Sequence, residues 1–192
     1  MKNNIEMFML GELKFFLGLQ VHQSPCGIFI SQLQYAIELL KKHDMDNCVS
    51  MSTPMATKRL DTNLQGTQKT YHRMIRGLMY LTASRPDIAF ATFVYARYQA
   101  RPMVKHLKEV KRIFQYLRHS YNIGLWYPKD SEFKLITYSD TDHAGCKDDC
   151  KRTLGGLQFL GEKLVSWNSK KQDCNAMSIA EAEYVSLSAC YA

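Results

Sequence analysis

The sequence predicts an α+β (or mixed α/β) chain, with a run of helices set between two groups of short strands. Three observations predict it. Apolar residues recur at helical spacing in three successive segments between Tyr71 and His119. Short apolar runs separated by turn residues stand on both sides of them. The composition is that of a folded chain: of 192 residues, 46% are apolar and 22% charged. That sets aside wholesale disorder, collagen and low-complexity classes. Such a length suits one domain or two small ones, and it can bury a core without covalent staples.

Taken in order, 13–21 reads as an apolar strand containing Gly18, and Ser24-Pro25-Cys26-Gly27 as a turn. Ile28-Phe29-Ile30 is a second strand, so the pair forms a hairpin. Ser31 with Gln34 has capping-box spacing, and Leu33, Ala36, Ile37 and Leu40 give a helical stripe ending near Lys41-Lys42-His43. Residues 47–67 are a polar connector containing Pro54; a connection of that length lies over a surface or joins two units. Helices follow over 71–82, from Pro86-Asp87 to about Gln99, and over 104–119. Short strands then occupy 124–127, 133–139, 154–160 and 164–168. From Ser178 the spacing is helical again, with Ile179, Ala182, Val185 and Ala189 on one face.

Lys and Arg number 25 against 18 acids, a net charge of +7, and +5 of it falls between Arg101 and Arg118. A localised excess of this kind suits a polyanion. On a helical wheel Leu107, Val110, Phe114 and Leu117 share one side, and Lys105, Lys108, Arg112 and His119 share the other. Phosphates are attracted to such a row by Coulomb interaction and counterion release. A solvated face on a core-packed helix has the same pattern. No apolar run approaches the ~18 residues of a membrane span, and the start of the chain lacks a signal-peptide pattern. A cytoplasmic or nuclear, non-secreted protein is expected. The six cysteines are scattered without a C-x-x-C pair, so free thiols are expected.

Two further clusters offer chemistry. Tyr138-Ser139-Asp140-Thr141-Asp142 is an apolar strand ending in carboxylates, and Ala180-Glu181-Ala182-Glu183-Tyr184 opens a helix. Carboxylates from a strand end and a neighbouring helix can share Mg²⁺, a cation that prefers hard oxygen ligands. Two such ions activate a water and stabilise a leaving oxygen in phosphodiester cleavage. Turn residues and partners of a helix dipole look the same in sequence. His143, Cys146, Cys150 and Cys174 superficially offer a zinc shell, but the spacing lacks the usual paired layout. A cysteine–histidine catalytic pair has no better support.

At these residues the sequence resembles a known family over essentially its whole length. Leu10-Gly11-Glu12-Leu13, Phe16-Leu17-Gly18-Leu19, Gly27-Ile28-Phe29-Ile30-Ser31-Gln32 and Thr53-Pro54 resemble, in order, the end of a copia-type retrotransposon reverse transcriptase. The most specific block is Tyr71-His72-Arg73, Gly77-Leu78-Met79-Tyr80-Leu81-Thr82 and Ser84-Arg85-Pro86-Asp87-Ile88-Ala89-Phe90-Ala91, continuing through Pro102, His106-Leu107 and Tyr116-Leu117-Arg118. Tyr138-Ser139-Asp140, Ala144-Gly145, Ser166-Trp167, Ser169-Lys170-Lys171-Gln172 and Glu181-Ala182-Glu183-Tyr184 resemble the opening half of the ribonuclease H domain that follows it in the Pol polyprotein.

The resemblance implies three segments: 1–68 as the end of the polymerase palm or thumb, 69–130 as a helical connection, and 131–192 as the first half of a truncated ribonuclease H-like domain. It implies a parent activity of RNA-directed DNA synthesis and cleavage of RNA–DNA hybrids. Asp140 sits where the family's first-strand aspartate sits and Glu183 where its first-helix glutamate sits; both are implied as catalytic and Mg²⁺-binding. Asp142 accompanies the first without a primary role. Lys105, Lys108 and Arg112 of the basic row, with Lys170 and Lys171 as a further basic pair, are the expected nucleic-acid contacts. The remaining carboxylates of the ribonuclease H set, and the paired aspartates of the polymerase, are not among these residues. His143 stands where the family usually has tryptophan, and 151–157 is a loose version of a basic Ser/Thr-rich run. Two carboxylates do not neutralise and position two metal ions as four do, so the chain alone is expected to perform neither reaction. Weak binding to hybrid or other nucleic acid, and association with the remainder of the polyprotein, are the expected interactions. The alternatives are a nucleic-acid-binding remnant, or a domesticated interaction protein without catalysis.

Overall fold

The computed structural model describes residues 11–55, 68–141 and 153–171, together with 181, 184 and 188. The elements are β1 (Phe15–Phe16), β2 (Leu19–Ser24), β3 (Gly27–Ser31), α1 (Leu33–Lys42), α2 (Gln68–Leu81), α3 (Pro86–Ala96), which runs into a 3-10 turn at Arg97–Gln99, and α4 (Val104–Ser120). They continue with β4 (Leu125–Pro128), β5 (Leu135–Thr141), β6 (Thr153–Leu160) and β7 (Lys163–Lys171). Helices and antiparallel sheets are both present, as the α+β reading requires.

The single strand expected over 13–21 is instead a hairpin. Leu17 and Gly18 both take left-handed backbone, with φ of 49° and 80°. Two successive positive φ values make the tight turn whose twist suits antiparallel strands. Phe15 therefore pairs with Gln20, and Phe16 with Leu19. A side chain at Gly18 would collide with the Tyr80 hydroxyl, so close approach as well as φ requires glycine there.

The strands of the first sheet lie in the order β1-β2-β3-β4, all antiparallel. The chain leaves the sheet after β3, makes four helices, and returns to pair β4 with β3. The helical excursion is thus closed at its base. The expected Ser31–Gln34 capping box is not formed. Gln32 is the N-cap of α1 and makes no side-chain cap. The Gln34 backbone N–H is met instead by the Gln20 side-chain oxygen of β2, at 3.1 Å.

One core joins all four helices. Leu39 and Leu40 of α1 pack with Met74, Ile75 and Leu78 of α2, Ile88 of α3, and Val110, Ile113, Phe114 and Leu117 of α4. Gly77 lets α1 approach α2 closely, since a Cβ there would strike the Leu39 side chain. α3 is apolar almost all round and has no exposed residue. It fills the space between α2, α4 and β7, the position that such an all-apolar helix dictates.

The second sheet has the order β5-β6-β7, antiparallel throughout. Hydrogen bonds between described residues fasten it to the rest. Trp167 Nε1–H donates to the Thr82 carbonyl at 2.9 Å. The Tyr127 hydroxyl donates to the Leu164 carbonyl at 2.9 Å, and Arg97 donates to Thr153 Oγ1 at 2.9 Å.

Candidate nucleic-acid interface and carboxylate site

α4 begins after Met103, whose backbone N–H is accepted by His106 Nδ1 at 3.2 Å. The His106 ring stacks on Tyr98, with centroids 3.9 Å apart. The buried side of the helix is His106, Val110, Ile113, Phe114 and Leu117, while Leu107 is half-buried. The apolar face is therefore rotated toward Ile113 from the expected stripe.

That rotation sorts the basic row. Lys108 and Lys111 are exposed, and Lys105 and Arg112 are half-buried. Arg112 is engaged: its guanidinium donates to the Thr53 hydroxyl at 2.9 Å and the Thr53 carbonyl at 3.3 Å. Arg118 donates to the Cys48 carbonyl, and the Met51 N–H to the Gln115 carbonyl at 3.2 Å. The first part of the polar connector thus lies along α4, held by two of its cations. Sequence reasoning placed Arg112 among the phosphate contacts and passed over Lys111. The connector separates them: it lies against Arg112 at Thr53, while Lys111 stays exposed.

Asp140 lies near the end of β5 and is exposed, opposite Gly155 on β6. Glu183, its expected partner, lies outside the described residues, as do Asp142, His143, Cys146, Cys150 and Cys174. Glu181 is helical and exposed. Among the described residues no three His, Cys, Asp or Glu side chains converge as a metal site. Asp140 offers one hard oxygen donor of the kind Mg²⁺ takes, and the missing Gly155 side chain leaves room before it. One carboxylate is not a metal site.

Lys170 and Lys171 end β7, opposite Leu154 and Thr153 respectively. Side chains alternate along a strand, so the two lysines belong to opposite faces of the sheet. The pairing register Asp140–Gly155–Ser169, with Thr153–Lys171 two residues along, puts Lys171 on the Asp140 face.

Sequence reasoning missed the polar centre of the helical unit. Arg85 is only 2% exposed. Its guanidinium grips Asp87 with two bonds, Nε to Oδ1 at 2.9 Å and Nη2 to Oδ2 at 2.6 Å. It also donates to the Ser120 carbonyl at 2.8 Å and to Ser120 Oγ at 2.7 Å. The Tyr116 hydroxyl donates to Asp87 at 2.9 Å. Burial alone would raise the Asp87 carboxyl; the Arg85 guanidinium, with the Tyr116 hydroxyl and the Asp87 backbone N–H, outweighs it and holds the group below the usual carboxylate range. The signal was legible in Arg85-Pro86-Asp87. Proline at the first helical position and aspartate just after it mark a helix start, where an arginine two residues before the acid can reach back to it.

The comparisons bear on this arrangement. The family profile described as reverse transcriptase (RNA-dependent DNA polymerase) matches residues 1–57. The retrovirus-related Pol polyprotein from transposon RE1 of Arabidopsis thaliana is 37% identical over 180 residues, covering 92% of this chain and 12% of the polyprotein. The corresponding polyprotein from transposon TNT 1-94 of Nicotiana tabacum is 31% identical over 198 residues, covering 96% of this chain and 15% of its own length. An uncharacterized mitochondrial protein of Arabidopsis thaliana is 31% identical over 190 residues, covering 97% of this chain and 79% of that protein. The chain thus spans a small part of the Pol polyproteins and most of the mitochondrial relative. No solved structure matches it. With Pol polyproteins matching across both the helical unit and the second sheet, the chain belongs to the reverse transcriptase family of copia-type retrotransposon Pol polyproteins.

Proposed function

We propose that these residues form the nucleic-acid-holding end of a copia-type polymerase, followed by the opening strands of a ribonuclease H-like unit. Their task is to hold an RNA–DNA hybrid by its backbone. The observation that carries this reading is the outward face of α4, where Lys105, Lys108 and Lys111 follow one another across from a fully buried side. Lysines on a rigid helix read phosphates as point charges and carry no sequence preference. Lys171, on the Asp140 face of the second sheet, extends the contact toward the expected cleavage side; Asp140 and Glu183 are the two carboxylates this stretch supplies to it. Mg²⁺ bound to the full carboxylate set would supply the charge stabilisation for phosphodiester cleavage. Binding is weak, in a cytoplasmic or nuclear setting, with the rest of the polyprotein as partner. No described helix is long and apolar enough to cross a membrane.

The test is binding of a labelled RNA–DNA hybrid across a salt series. Replacing Lys105, Lys108 and Lys111 together by Gln should flatten the slope of log K against log salt by up to about 0.9 per lost contact, on the B-DNA scale. Arg112→Gln should leave the slope unchanged, because that cation faces Thr53. An unchanged slope in the triple variant sinks the reading. A polypeptide of these 192 residues should show no Mg²⁺-dependent cleavage of hybrid; cleavage lost on Asp140→Asn would show that a complete site is present.

A further inference from the structure

We propose that the outward face of α2 is a second nucleic-acid track, one that takes the backbone of a single strand and ends on an exposed aromatic ring. It rests on the nucleic-acid reading above but not on the α4 row. Lys69, Arg73 and Arg76 stand at positions i, i+4 and i+7 of α2, with Tyr80 at i+11, and all four are exposed. At 1.5 Å per residue the row is about 16 Å long. The opposite side of the helix is Tyr71, Met74, Ile75 and Leu78, all buried. The division between core and solvent is complete, and the cations are fixed to a helix that cannot turn them away.

The absence of acids separates this face from an ordinary solvated one. Exposed helical faces commonly mix both signs, as Glu38 does among the lysines of α1 and Glu109 does on α4. α2 carries no Asp or Glu. Lys69, Arg73 and Arg76 have no ion-pair partner among the described residues. The positive field extends across the seam to α1: burial first, then Lys42 and Arg73, outweigh Asp44 and hold the His43 ring below its usual value.

The end of the row supplies a second chemistry. Tyr80 and Met79 are each 43% exposed. The Tyr80 ring is held rigid. Its hydroxyl donates to the Leu17 carbonyl at 3.1 Å, and its edge-to-face contact with Tyr35 has a centroid distance of 4.7 Å. A line of cations leading to a fixed aromatic ring is the composition that holds single strands, where phosphates meet the charges and an unstacked base meets the ring. Duplex bases are already stacked and gain nothing from such a ring.

The experiment uses the full chain, a labelled oligothymidylate, and an abasic strand of the same charge. The variant Lys69→Gln/Arg73→Gln/Arg76→Gln should lower the salt slope for oligothymidylate by up to about 2, at about 0.7 per contact on single strands. Its thermal melt should stay in place, since all three side chains are exposed. Wild type should bind oligothymidylate more tightly than the abasic strand. An unchanged slope in the α2 variant overturns the track, and equal binding of the two strands overturns the role of Tyr80. Loss in the α2 variant with none in the α4 triple variant would keep the track and remove the α4 reading; the reverse would remove the track alone.

Discussion

The helical unit and the second sheet treat their surfaces in opposite ways. The helices close on themselves: Tyr71, Ile75, Leu78, Ile88, Val110, Ile113, Phe114 and Leu117 are all 0% exposed, and the one large cation inside is gripped on every side. In β5 and β6, by contrast, Leu135 is 67% exposed, Tyr138 58% and Leu157 38%. Among the described residues β5 pairs only with β6, and its other edge has no partner among them. Buried apolar area and satisfied polar groups make a unit hold its own shape. The helical unit meets the first throughout its core, and the second at Arg85, Asp87 and Ser120, while Gln32 Nε2, His43 Nε2 and Thr92 Oγ1 are buried without a partner among the described residues. The sheet is fastened to the helices through Trp167 and Arg97, and to β4 through Tyr127. Stability should therefore be set in the helices, and association in the sheet.

The largest effect expected is at Arg85. Arg85→Ala leaves Asp87 without its cation and the Ser120 carbonyl without its donor. Breaking a buried pair by removing one partner costs about 3–5 kcal/mol, read as a fall in the urea midpoint. The double variant Arg85→Met/Asp87→Leu should cost less, because neither charge is then stranded. A single variant no worse than the double would remove the network from the core of the argument.

Trp167→Phe comes next. It keeps an aromatic ring at the position and deletes the donor to the Thr82 carbonyl, so about 1–3 kcal/mol is at stake if that carbonyl stays dry. The loss should fall on the sheet alone. Amide exchange should quicken in β6 and β7 while α2 and α4 stay protected, which would show that the two regions are fastened and not fused. Uniform quickening would mean they unfold as one.

The pH dependence divides the regions again. Asp87 is held below the ordinary carboxylate range it has in the unfolded chain. Its contribution is therefore complete above that range and is lost as the pH falls through the lowered folded value. The acid limb of the helical unit should flatten in Arg85→Met. An acid limb identical in wild type and variant would assign acid unfolding to other carboxylates.

How much of this was legible in advance follows the range of the interaction concerned. The four helices were readable because their apolar spacing is local, and α3 because Ile88 to Ala96 leaves no polar face. The break at Leu17-Gly18 was not, because alternation looks the same in one strand as in two halves of a hairpin; only the left-handed backbone distinguishes them. The cap of α1 comes from Gln20, on another element, so no local box could reveal it. Arg112 and Lys111 are neighbours on one turn, and their different fates depend on where the connector lies. Asp140 was placed by a resemblance, and its environment by strand register. Its relation to Glu183 remains a proposal.

The smallest effect on stability, and the most direct on behaviour, is expected at Leu135. Its side chain is largely exposed on β5, opposite Leu160 on β6, and the strand's far edge has no described partner. Exposed substitutions away from caps and networks stay within about 0.5 kcal/mol, so Leu135→Lys should barely move the melting transition. An open apolar edge, however, offers unpaired backbone groups to another chain, and a lysine on it opposes that pairing. Light scattering of wild type should rise with concentration and that of Leu135→Lys should not. The control is Val49→Lys, which adds the same charge at a residue 74% exposed on the connector beside α4; it should leave the scattering as in wild type. Equal relief by both lysines would make net charge the cause and take the open edge out of the comparison. Relief by Leu135→Lys alone would confirm that the helices determine whether this chain stays folded and the sheet determines whether it stays single.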